Sequence, residues 1–134
     1  MLIRDRPSYE LWVKEHGLAD NVIFTGLRHD IKDLLQAFDI FLMPSLHEGL
    51  PMALLEAEAT GVKCLISSNV TKEAKLYDDA EFISLNDTQL WQEKIVNYFP
   101  NEKKRFSNSE HAQKILERDY NLNKELKKLK LIYE

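Results

Sequence analysis

Cysteine is almost absent from this chain of 134 residues, and the single Cys64 excludes an intrachain disulfide. It stands in the apolar stretch 62–66, where a small buried residue is expected rather than a catalytic thiol. Long hydrophobic runs are also missing, since none approaches the roughly 18 residues of a membrane span. The first seven residues are too charged and too few for a secretory signal, so the cytoplasm is the expected compartment. Nor is there an excess of positive charge. With 18 Lys and Arg against 22 Asp and Glu, the net charge of −4 gives no general attraction for nucleic acid. No repeat, low-complexity tract or ligand cluster with metal spacing is present, and no metal is expected.

What remains is ordinary globular material, 44% hydrophobic and 30% charged. The length suits a single domain, 1–134, with one core. The opening Met1-Leu2-Ile3 reads as a strand cut at its beginning, which would make the chain part of something longer.

Glycine and proline are few, and they punctuate the pattern. Pro7 suits a first helical turn, and Tyr9, Val13 and His16 follow at helical spacing until Gly17. Val22, Ile23 and Phe24 within 21–25, closed by Gly26, predict a strand buried on both faces. Asp30 can cap a helix whose Ile31, Leu34, Leu35 and Phe38 fall on one face. The apolar runs 40–43 and 63–66 predict two central strands. Between them, 51–60 predicts a helix with Pro51 in its first turn and Gly61 at a left-handed C-cap. A last strand is predicted in 81–85, followed by a helix that Asp87 caps and Pro100 ends. Beyond it only helical spacing appears, with Phe106, Ile115 and Leu116, then Leu122, Leu126, Leu129 and Tyr133. Apolar strands alternating with helices imply a Rossmann-like α/β fold, a parallel sheet with helices on both faces and extra C-terminal helices. Such folds bind ligands at the carboxyl ends of their strands.

The segment most informative about function is Ser45-Leu46-His47-Glu48-Gly49-Leu50-Pro51-Met52-Ala53-Leu54-Leu55-Glu56-Ala57, which follows a strand end. Gly49 permits a ligand to approach the backbone, and the amides at the start of the helix behind Pro51 form an anion site fit for a diphosphate. Glu48 and Glu56 supply carboxylates, which accept hydrogen bonds from sugar or ribose hydroxyls. Glu56 shares a helical face with Met52, Ala53, Ala59 and Thr60, which leaves room beside it, whereas Glu58 points elsewhere. Each acid also has a plain reading, Glu56 as a solvated helix residue and Glu48 as a loop acid.

The ordered string Pro44-Ser45, Glu48-Gly49-Leu50-Pro51, Leu54-Leu55-Glu56-Ala57 and Gly61 resembles the C-terminal domain of retaining glycosyltransferases of the GT-B fold. In that family two glutamates are separated by seven residues within this pattern. Asn21-Val22-Ile23-Phe24-Thr25-Gly26 with Arg28, and Asp39-Ile40-Phe41, extend the likeness over most of the chain. The resemblance implies that Glu48 contacts the transferred sugar and steadies developing charge, and that Glu56 holds the ribose. It further implies that Ser45, Gly49, Leu50 and Pro51 surround the diphosphate and that Arg28 borders the base. Arg28 alone would read as a surface group, and His47 as a turn residue. The implied substrate is a nucleotide-diphosphate-sugar, with no further cofactor and a polysaccharide or lipid-linked acceptor. Ser67-Ser68-Asn69-Val70-Thr71-Lys72-Glu73 resembles the bacterial surface-polysaccharide type, capsule enzymes included, working at the inner face of the cell membrane with the full-length enzyme peripherally attached.

The likeness fails at Arg4-Asp5-Arg6-Pro7, where the family carries a glycine-rich turn. The strand that brings basic residues to the donor phosphates and the N-terminal acceptor domain are expected to be missing. Donor binding without appreciable transfer is therefore the expectation for the isolated chain. Two other readings stay open, a non-catalytic nucleotide-binding module and an interaction domain that uses Lys124, Lys127, Lys128 and Lys130.

Overall fold

A proline in the first turn starts the first helix, α1 (Arg6–Glu15), as its fixed φ favours. The computed structural model describes residues 5–72 and 80–98. The expectations for Met1 to Arg4, for Glu73, for Pro100, for the later helices and for the four C-terminal lysines therefore lie outside the described residues. Two units divide after Asp30.

In the first unit α1 buries only Val13. Gly17, at φ 67°, turns the chain, and the Leu18 amide donates back to the Val13 carbonyl at 2.9 Å. The strand predicted over 21–25 is not formed. Among the described residues this segment belongs to no sheet, and Ile23 is 83% exposed. A continuous apolar run marks a buried strand only where neighbouring strands take up its amides and carbonyls. Arg6 fixes the segment instead, with its guanidinium over the Phe24 ring and Nη2 donating to the Phe24 carbonyl at 3.2 Å.

The second unit carries α2 (Ile31–Ala37), β1 (Ile40–Met43), α3 (Met52–Ala59), β2 (Lys63–Ser67), β3 (Glu81–Ile83) and α4 (Thr88–Tyr98). The strands form a parallel sheet in the order β1-β2-β3. The register explains the core. Phe41 pairs with Cys64, and Met43 with Ile66, which pairs in turn with Phe82. Period-2 alternation puts all five on one face, where they pack with Leu54 and Ala57 of α3 and Leu35 of α2. Leu54 is fully buried, worth about 2 kcal/mol in removal from water.

Leu42, Leu65 and Ile83 face the other side, which Ile95 of α4 shares in a groove with Leu42. Helices thus lie on both faces, and the Rossmann-like α/β fold is observed. Glu81 anchors this second face, accepting from Lys63 and from Lys94 of α4, each at 2.6 Å. Burial pushes its carboxyl up, but the two lysines outweigh that and hold it below the usual carboxylate range.

Several expectations need adjustment. β1 is an edge strand among the described residues rather than a central one, with Leu42 44% exposed. The Asp30 carboxylate is engaged by Arg28 rather than by the amides of α2. The last strand stops at Ile83, and Asp87 caps α4 as predicted, accepting from the Leu90 amide at 3.0 Å.

Candidate functional site

The loop between β1 and α3 leaves the carboxyl end of the sheet, and the backbone of Glu48 bridges in parallel to Val70, which follows β2. Val70 is buried, so the loop is tied to the core at the residue whose carboxylate is of interest. Glu48 itself is half-buried. The Ser45 hydroxyl donates to its Oε1 at 2.9 Å, fixing the carboxylate across the loop.

The loop's rim is open. Leu46 is 80% exposed, and Leu50 and Met52 are exposed as well. Gly49 does not have a positive φ, and a Cβ there would meet nothing within 4 Å. Among the described residues, neither a left-handed backbone nor close packing demands glycine at this position.

Pro51 is buried and is the N-cap of α3 rather than a residue of its first turn; its φ of −77° and ψ of 102° are extended. Its carbonyl accepts from the amides of Leu54 and Leu55, at 3.0 and 3.3 Å. No side chain caps this end of the helix, so the first amides of α3 face outward without an intrahelical partner. At the far end Gly61, at φ 73°, forms the left-handed C-cap expected of it, its amide donating to Glu58 at 3.0 Å.

Glu56 is exposed on α3 and lines a groove of about 390 Å³ with Ala59 and Thr60 of the same helical face. Ile31, Lys32, Leu35 and Gln36 of α2 form the opposite wall. Glu58, two residues on, is buried to 2% exposure and partnered, so the two acids of α3 have separate fates as expected. Sequence reasoning used α2 only for its apolar stripe and missed Lys32 and Gln36. Their i, i+4 spacing beside that stripe was the available signal.

Ser45, Glu48, Gly49, Leu50, Pro51 and Glu56 thus all belong to the second unit, along one loop and the helix it enters. Arg28 belongs to the first. There its Nε donates to Asp30 Oδ1 at 2.7 Å while Nη2 meets Oδ2, a two-point pair that raises the guanidinium pKa and lowers that of Asp30.

A family model described as Glycosyl transferases group 1 matches residues 3–101. The chain is 30% identical, over 87% of its length, to the UDP-Gal:alpha-D-GlcNAc-diphosphoundecaprenol alpha-1,3-galactosyltransferase of Escherichia coli, covering 30% of that protein. It is 36% identical, over 75% of its length, to the N,N'-diacetylbacillosaminyl-diphospho-undecaprenol alpha-1,3-N-acetylgalactosaminyltransferase of Campylobacter jejuni, covering 28% of that protein. It is also 29% identical, over 69% of its length, to the Vi polysaccharide biosynthesis protein VipC/TviE of Salmonella typhi, covering 17% of that protein. The chain therefore spans less than a third of the length of each of these relatives.

Proposed function

Because the chain belongs to the group 1 glycosyl transferases, we propose that it is the part of such an enzyme that binds the nucleotide-sugar donor, one Rossmann-like half of a GT-B fold. The observation that carries this reading is the order of parts along one loop and the helix it enters, from the Ser45-held Glu48 through Gly49 and the uncapped start of α3 to Glu56 in its groove. In that order Glu48 contacts the transferred sugar and steadies the charge developing near it, with Ser45 fixing the carboxylate. The amides of Gly49, Leu50 and the start of α3 behind Pro51 receive the diphosphate, and Glu56 accepts the ribose hydroxyls. Arg28 borders the base. The reaction retains anomeric configuration, an assignment that rests on the family resemblance, and no cofactor beyond the nucleotide-sugar substrate is assigned.

Transfer is assigned to a whole protein of the relatives' size, in which a second domain holds the acceptor and closes the site. Two relatives are named as enzymes of diphospho-undecaprenol-linked sugars. That supports a lipid-linked or polysaccharide acceptor; capsule or other surface-polysaccharide synthesis and work at the cytoplasmic face of a membrane are part of the proposal. Among the described residues no helix is long and apolar enough to cross one.

Calorimetric titration with UDP, GDP and ADP tests the donor assignment. Saturable binding of at least one is expected, weakened about tenfold or more in Glu56→Ala. Equal binding by both proteins would remove Glu56 from the site.

A second reading, a nucleotide-binding module without catalysis, draws on one observation. Arg6, the first residue of α1 and part of the stretch 4–7 where the resemblance implies a glycine-rich turn, places Nη1 3.4 Å from where a Gly26 Cβ would stand.

A further inference from the structure

The groove between α2 and α3 has an apolar floor of Ile31, Leu35 and Ala59, and four polar side chains converge on it, those of Lys32, Gln36, Glu56 and Thr60. Thr60 is committed as a donor to the Ala57 carbonyl at 2.8 Å. Among the described residues, Lys32, Gln36 and Glu56 make no side-chain hydrogen bond or ion pair. A groove of about 390 Å³ with apolar walls and a few uncommitted polar groups has the make-up of a small-molecule site.

The helix sets the order of parts. Glu56 lies four residues beyond Met52, about 6 Å along the axis from the open amides of α3. That separation suits a ribose at Glu56 and phosphates at the amides. The base then has the remainder of the groove, where α2 presents Lys32 and Gln36 on adjacent turns.

We propose that Lys32 and Gln36 read the base of the donor nucleotide in this groove and select a keto base, uracil or guanine, over adenine. The inference rests on the assignment of Glu56 to the ribose. Its chemistry lies in the donor inventory. A lysine ammonium has three donors and no acceptor, and it matches the exocyclic oxygen of uracil or guanine. Adenine presents an amino group, itself a donor, at the corresponding place. Gln36, with both an amide donor and a carbonyl acceptor, can follow either keto base and supplies the second contact.

The test compares the Kd values of UDP, GDP and ADP for the wild-type chain and for Lys32→Met, Gln36→Leu and Glu56→Ala, with circular dichroism confirming the fold of each. Lys32 is exposed and Gln36 half-exposed, so both variants are expected to fold. Wild type should bind UDP or GDP more tightly than ADP, and Lys32→Met should lose about tenfold for the favoured nucleotide while ADP changes by less than about twofold. Gln36→Leu should narrow the same preference. Equal losses for all three nucleotides in Lys32→Met would mean that it serves the phosphates, and would overturn the proposal. Unchanged binding in Lys32→Met and Gln36→Leu, with loss in Glu56→Ala, would overturn it and leave the donor site standing. Absence of binding by folded wild type would overturn both.

Discussion

The Ser45 hydroxyl and the Glu48 carboxylate are joined by a hydrogen bond of 2.9 Å, across a loop that the Glu48 backbone fastens to Val70. The carboxylate is thus positioned from both sides, by its own main chain and by a neighbour three residues earlier. Ser45→Ala removes one of these and should cost about 1 kcal/mol or less in urea unfolding, since the pair is only partly buried. On the catalytic role proposed for Glu48, Ser45→Ala in a protein of the relatives' size should lower kcat more than it raises KM, because a loosened carboxylate loses its alignment in the transition state first. A change in KM alone would contradict that role.

Core and site substitutions on α3 should separate cleanly. Leu54 is fully buried against the sheet, whereas Met52, at the start of the same helix, is exposed. Leu54→Ala should therefore cost about 2–5 kcal/mol, and Met52→Ala no more than about 0.5 kcal/mol, by denaturant unfolding. Similar losses for the two would place the helix differently on the sheet.

At the other end of α3, Gly61 has a φ of 73° that a β-carbon disfavours. Gly61→Ala should destabilise by about 1–2 kcal/mol. Asp87→Ala, which removes the cap of α4, should cost about 1 kcal/mol.

Glu81 gives the fold a defined acid response. Its folded pKa is depressed by Lys63 and Lys94, so its contribution is complete above the ordinary carboxylate range and is lost as pH falls through the lower folded value. The Lys94 pKa is raised by the same contact, and its share persists until pH rises through that raised value. With Glu81 34% exposed and therefore screened, Glu81→Gln should cost about 1 kcal/mol at pH 7. The gap between wild type and variant should close as the pH is lowered. A constant gap across acid pH would show that the lysine contacts contribute nothing through charge.

Much of this arrangement was legible in the sequence, for local reasons. Pro7, Gly17, Gly61 and Asp87 act on their own turns of backbone, and the apolar run of β2 buries as the pattern requires, whereas that of β1 is only half-buried with Leu42 exposed. That a loop leads from the end of β1 into α3 was also readable, because its residues are contiguous, though Pro51 is the N-cap rather than a residue of the first turn. The run at Val22 to Phe24 was misread because strand identity depends on partners that no local pattern specifies. Lys32 and Gln36 were overlooked because their relation to Glu56 exists only once α2 and α3 pack together. Arg28 carried no local sign of its pairing with Asp30, two residues away.

The donor-binding assignment is tested most directly by titrating isotope-labelled protein with UDP, GDP and ADP while following the backbone amides. Saturable shifts are expected at Glu48, Gly49, Leu50 and the first turns of α3, and at Lys32 and Gln36 on α2. A folded protein whose amides at these positions stay fixed with all three nucleotides would contradict the assignment.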